Sequence, residues 1–107
     1  MSKENKIQIG LSKKTYDYIK RKTDKVEDNH PAKKFFKTPL RRFKARYDGW
    51  LFEGGDKKDD RVFGSLDRLY ISDEELAYLK SEDVKTFFED EEKEMPWELE
   101  EFFNSLP

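Results

Sequence analysis

The chain has no cysteine and one histidine, His30. Disulfides, thiol nucleophiles and thiolate zinc sites are therefore excluded, and no Cys/His cage can form around a metal. Glycine and proline are scarce, at five and four residues, which confines special turn chemistry to a few places. No apolar run approaches the roughly 18–20 residues that span a bilayer. The opening MSKENK lacks the apolar core of a signal peptide. The expectation is a soluble, cytoplasmic protein with no membrane partner.

Also missing are a Gly-rich phosphate loop, a nucleotide-binding fingerprint and a Ser/His/Asp set. Paired acids are frequent, but among 24 acidic residues adjacency arises by chance. Asp56, Asp59 and Asp60 have Lys57 and Lys58 between them, and these repel a hard cation. His30 stands before Pro31 with no partner in sequence and reads as a loop residue rather than a base. The sequence thus points to a protein that is not an enzyme and has no metal or cofactor.

What is present is charge and aromatic surface. At 107 residues there is room for one core. A charged fraction of 43% leans toward disorder, but nine Phe, five Tyr and two Trp supply large side chains to bury. The net charge of -2 hides a segregation. Met1 to Tyr47 carries 15 Lys/Arg against 5 Asp/Glu, whereas Asp48 to Pro107 carries 7 against 19. Opposite halves of this kind fit a polyanion site, a partner-binding site, or mutual attraction within the chain or a homodimer.

Lys6 to Leu11 alternates, with Ile7, Ile9 and Leu11 on one side, and predicts a half-buried strand. Ser12 is placed to cap a helix from Lys13 to about Thr23 whose inner side carries Tyr16 and Ile19. After a polar connection, Pro39 divides the stretch from Lys33 to Phe52. Leu40 to Phe52 reads as a strand with Arg42, Lys44 and Arg46 on one face and Phe43 and Tyr47 on the other. Through the EGGD loop it would form a hairpin with Arg61 to Ile71. Ser72 and Glu75 spell a capping box for a helix from Asp73 to about Glu89, divisible at Ser81. Pro96 suits the first position of a last helix, where Leu99, Phe102, Phe103 and Leu106 form an apolar stripe among acids. That stripe can pack on the chain's own core or dock in a partner's groove.

Two stretches carry a likeness to known families. IQIGLSKKTYDYIK, residues 7–20, resembles the opening of ribbon-helix-helix DNA-binding proteins, which implies that Lys6, Gln8 and Gly10 face bases. ARYDGWLFEGGDKKDDRV is similar in layout to small zinc knuckles, with Leu51 and Gly54 at the cysteine positions, and implies a metal-free hairpin.

The expected fold is α+β: a small single domain with an N-terminal strand-helix unit, a central antiparallel hairpin and C-terminal acidic helices. Residues 1–95 form the compact domain, with 1–5 frayed, and 96–107 an acidic amphipathic helix or tail. Its core is expected from Ile7, Ile9, Leu11, Tyr16, Ile19, Phe43, Leu51, Val62, Phe63, Leu69, Leu76, Leu79 and Phe87.

The expected function is that of a nucleic-acid-binding accessory protein. Lys33, Lys34, Lys37, Arg41, Arg42, Lys44 and Arg46 would neutralise phosphates of DNA or RNA, and Phe35, Phe36, Tyr47 or Trp50 would stack on bases. Glu98, Leu99, Glu101, Phe102 and Phe103 would dock a protein partner, or the acidic segment would mask the basic face. The alternative is an inhibitor or adaptor of the kind encoded by phages, whose acidic half imitates nucleic acid to block or recruit a nucleic-acid-processing enzyme.

Overall fold

Alternation of Ile7, Ile9 and Leu11 with polar residues produces strand β1 (Asn5–Leu11), whose apolar side is buried. In this computed structural model the described residues are 5–59, 61, 63–89 and 94–107, with 64–69 given by their backbone alone. β1 pairs antiparallel with β2 (Phe63–Ile71), from Asn5 opposite Ile71 to Leu11 opposite Phe63, with an irregularity between Ile9 and Leu11. Ser12 caps helix α1 (Lys13–Thr23), its side chain accepting from the Thr15 N–H at 3.2 Å.

The expected central hairpin is not formed. Residues 31–52 are one helix, α2 (Pro31–Phe52), capped by His30, whose Nδ1 accepts from the Ala32 N–H at 3.2 Å. Phe43 and Tyr47 satisfy a period of 2 only across a short window. Extending back through Pro39 reveals Ala32, Phe36, Pro39, Phe43 and Tyr47, spaced by four, three, four and four residues, all buried on one helical face. Pro39 removes one backbone hydrogen bond, normally a helix-breaking cost of roughly 3 kcal/mol. Full burial of Phe36 and Phe43 on either side offsets it, at roughly 1.5–3 kcal/mol each. The knuckle-like layout fails for the same reason, because its first half is helical.

The helix ends at Phe52 with Glu53 as its C-cap; Gly54 follows at φ 103°, and the Gly55 N–H bonds back to the Trp50 carbonyl at 2.9 Å. A Cβ on Gly55 would lie 2.3 Å from the Trp50 ring, so only glycine fits there. EGGD therefore closes α2 rather than turning a hairpin, and the strand partner of β2 is β1.

Ser72 caps α3 (Asp73–Leu79) as its capping box predicts, and the break at Ser81 starts α4 (Glu82–Phe88). Pro96 is the N-cap, not the first turn, of α5 (Trp97–Asn104). The described chain is thus a small α+β domain of five helices and a two-stranded antiparallel sheet. No helix among the described residues is long and apolar enough to cross a membrane.

Aromatic rings fill the core along α2. Phe43 stacks on Tyr16 at 5.0 Å and meets Phe63 edge-on at 5.5 Å, joining α1 and β2 to the helix. Nearer the start of α2, Phe36 meets Phe88 of α4 at 5.3 Å and Phe102 of α5 at 6.3 Å. Of the expected core, Ile7, Ile9, Leu11, Tyr16, Ile19, Phe43 and Leu79 are buried. Leu51, Phe63, Leu76 and Phe87 pack at its margin; Val62 and the side chain of Leu69 lie outside the described residues. Phe36, Phe88, Leu99 and Phe102, outside that expected set, are buried with them.

Candidate functional site

Folding residues 31–52 into a helix rearranges the basic face. Lys34, Lys37, Arg41 and Lys44 recur at i, i+3, i+7 and i+10 and form one stripe, roughly 15 Å long at 1.5 Å per residue. Lys33 lies beside its start. Arg42 and Arg46, expected on the same strand face as Lys44, are turned roughly 120–160° away from the stripe, since each helical residue advances about 100°. The strand-face grouping of Arg42, Lys44 and Arg46 is therefore dissolved.

The stripe borders a groove of about 600 Å³ between α1 and α2. Lys20 of α1 faces it, together with Asp24 and Asp28, so six cations meet two carboxylates. Both carboxylates are engaged locally: Lys20 pairs with Asp24 at 3.0 Å and Lys33 with Asp28 at 3.1 Å. The Asp24 hydrogen bond raises the Lys20 pKa above its ordinary value. Lys33 also donates to the Val26 carbonyl at 3.1 Å, which fixes it against the loop. Among the described residues no ion pair holds Lys34, Lys37, Arg41 or Lys44, leaving these four charges available.

Aromatic stacking is not supplied by the residues expected for it. Tyr47 is 8% exposed and stacks on Phe43 at 5.5 Å. Trp50 is partly buried, lying 5.8 Å from Tyr47 and 5.9 Å from Phe63 with Gly55 against its ring. Phe36 is fully buried, and Phe35 packs on Phe102 at 6.2 Å. Among the described residues Tyr16 is the one aromatic that lines the groove, its ring held between Phe43 and the Lys13 ammonium. Alternation sets Trp50 on the face of Arg42, Lys44 and Arg46, whereas in a helix it lies three residues from Tyr47 on the inner side; Tyr47 shares the face of Phe43 under either period.

No acid C-terminal to Asp48 lines the groove among the described residues, so α5 does not mask it. Of the five residues expected to dock a partner, Leu99, Phe102 and Phe103 sit in the core and leave only Glu101 exposed. Glu98 is 8% exposed, and its Oε2 accepts from the Thr15 hydroxyl at 3.0 Å. The Ser12 hydroxyl in turn donates to Thr15 Oγ1 at 3.1 Å, a chain of bonds at the start of α1. Ser-x-x-Thr signals the cap, but nothing in sequence joins it to Glu98, 83 positions away.

Lys6 and Gln8 are exposed on the outer side of β1, and Gly10 is half-buried at its irregular end. They are not part of the α1–α2 groove. His30 is both a helix cap and a ring stacked on Phe87 at 4.8 Å, roles that explain its place without chemistry. Among the described residues no three His, Cys, Asp or Glu side chains converge to hold a metal. Neither protein-family models, curated proteins nor solved structures give a match to this chain.

Proposed function

We propose that this protein is a non-enzymatic nucleic-acid-binding accessory protein that holds the phosphate backbone in the α1–α2 groove. The observation that carries this reading is the stripe of Lys34, Lys37, Arg41 and Lys44, four cations in register on one rigid helix with no ion pair among the described residues. A helix-borne array holds its charges at fixed spacing, so binding costs little ordering of the backbone. A stripe roughly 15 Å long matches the rise of about four nucleotides at 3.4 Å per strand. Lys20 and Lys33, already held by Asp24 and Asp28, flank the track and give it a second wall.

Because Tyr47 is buried and the half-buried Trp50 is packed against Tyr47 and Phe63, recognition rests on charge and not on base stacking. Binding is then largely independent of sequence, and duplexes, with their higher linear charge density, are preferred over single strands. Fluorescence anisotropy with labelled 20-mer duplex and single-stranded DNA and RNA at 50 mM KCl tests this. Saturable binding to duplexes with little dependence on sequence supports it. No binding to any of them at this salt refutes it.

The inhibitor reading is favoured by one separate observation. Asp73, Glu74 and Glu75 on α3, Glu82 and Asp83 on α4, and Glu100 and Glu101 on α5 are all exposed. Exposed carboxylates on three helices offer a basic groove the charge of nucleic acid. Competition distinguishes the readings: a mimic displaces DNA from its target enzyme, whereas a binder retains it.

A further inference from the structure

We propose that the groove between the open edge of β1 and helix α5 is a binding site for an extended peptide segment that carries an arginine or lysine. The inference does not rest on the nucleic-acid reading, since it uses the opposite charge and different elements.

The sheet has two strands, so among the described residues no strand pairs with the edge of β1 that faces away from β2. A groove of about 470 Å³ runs along that edge. Five consecutive strand residues, Lys6 to Gly10, line it. A sheet face shows every second residue, so a consecutive run marks the edge and its backbone N–H and C=O groups. Among the described residues, no side chain hydrogen-bonds to the backbone of these five. An open edge of this kind is a template for an added strand.

The other wall selects the added strand's chemistry. α5 contributes Trp97, Glu98 and Glu101 to the groove. Glu98 is more than nine-tenths buried, yet among the described residues only Oε2 has a donor, the Thr15 hydroxyl at 3.0 Å. Among the described residues no cation pairs with it. A mostly buried carboxylate with no counter-charge among the described residues is a partner for an incoming guanidinium or ammonium. Trp97 is 63% exposed beside it, and its ring face attracts the same kind of charge. Glu101 adds a second carboxylate at the rim. Against these two carboxylates the described lining has one cation, Lys6 on the strand side, so its side-chain charge is opposite in sign to that of the α1–α2 groove.

The test uses the full chain, 15N-labelled, and two libraries of blocked nine-residue peptides with Thr and Val at varied positions. One library has Arg fixed at the centre and the other has Glu. Saturable amide shifts confined to residues 6–10 and the Trp97 indole with the Arg library, at least tenfold weaker with the Glu library, are expected. Trp97→Ala, at an exposed position, should weaken the Arg peptides about fivefold without altering the remaining spectrum. Glu98→Gln keeps an acceptor for Thr15 and should remove the preference for Arg over Glu. Absence of saturable shifts, equal response to both libraries, or shifts that map elsewhere would overturn the proposal.

Discussion

The Thr15 hydroxyl donates to the Glu98 carboxylate at 3.0 Å, tying the first turn of α1 to the first turn of α5. A carboxylate set at a helix N-terminus also benefits from the helix dipole. Thr15→Val removes the donor while keeping the shape, and leaves the buried carboxylate without its partner. The expected cost is about 1.5–3 kcal/mol in urea denaturation, with a clear coupling in a double-mutant cycle with Glu98→Ala, which removes the acceptor. Additive effects would show that the two side chains do not act together.

Phe36 and Phe52 lie on the same helix with opposite fates. Phe36 is fully buried among Phe35, Phe88 and Phe102, whereas Phe52 is 93% exposed. Phe36→Ala is expected to cost about 3–5 kcal/mol, and Phe52→Ser to stay within about 0.5 kcal/mol of wild type. Thermal melts followed by circular dichroism measure both. Similar melting points for the two variants would contradict the placement of α2.

That contrast shows what was legible in sequence. Alternation in residues 6–11, the Ser12 cap and the Ser72 capping box act over a few residues, and each predicted its element correctly. Pro39 misled because proline usually ends a helix, and the long-range packing of Phe36 and Phe43 that overrides it leaves no local mark. The cations of the site were all nameable, but grouping them required the correct period: 3.6 gathers Lys34, Lys37, Arg41 and Lys44, while 2 gathers Arg42, Lys44 and Arg46. Tyr47 shares a face with Phe43 under either period, and its burial follows from stacking on that ring. Contacts such as Thr15 with Glu98, or Phe36 with Phe102, depend on tertiary arrangement and have no signature in spacing.

Alkaline pH provides a third check. Hydrogen bonds to Asp17 and Asp24 raise the pKa values of Lys13 and Lys20 above 10.5, and burial raises the Tyr78 phenol above 10.0. In each case the folded chain holds its proton more tightly than the unfolded chain. The contribution is therefore complete below the unfolded values and is lost as pH rises through the folded ones. Urea midpoints should be level between pH 8 and 9.5 as far as these groups are concerned and fall by pH 11. Both lysine pairs are largely exposed, so their share is small, and Tyr78→Phe should flatten the fall more visibly.

Tryptophan emission separates stacking from charge recognition. Trp50 is packed against Gly55 and Phe63, and Trp97 lies outside the α1–α2 groove. In a Trp97→Phe variant, saturating duplex DNA should leave Trp50 emission and its acrylamide quenching unchanged. Strong quenching by nucleic acid would instead place a base on Trp50.

The central claim is that the α2 stripe holds phosphates. Its most direct test is the dependence of duplex affinity on KCl concentration for the wild type and for Lys37→Gln and Arg41→Gln, both substitutions being on the exposed side of the helix. Four phosphate contacts predict a slope of log K against log salt of about -3.6, reduced by about one in each variant, with Arg46→Gln unchanged. A slope near zero, or a loss in Arg46→Gln equal to that in Arg41→Gln, would contradict the account.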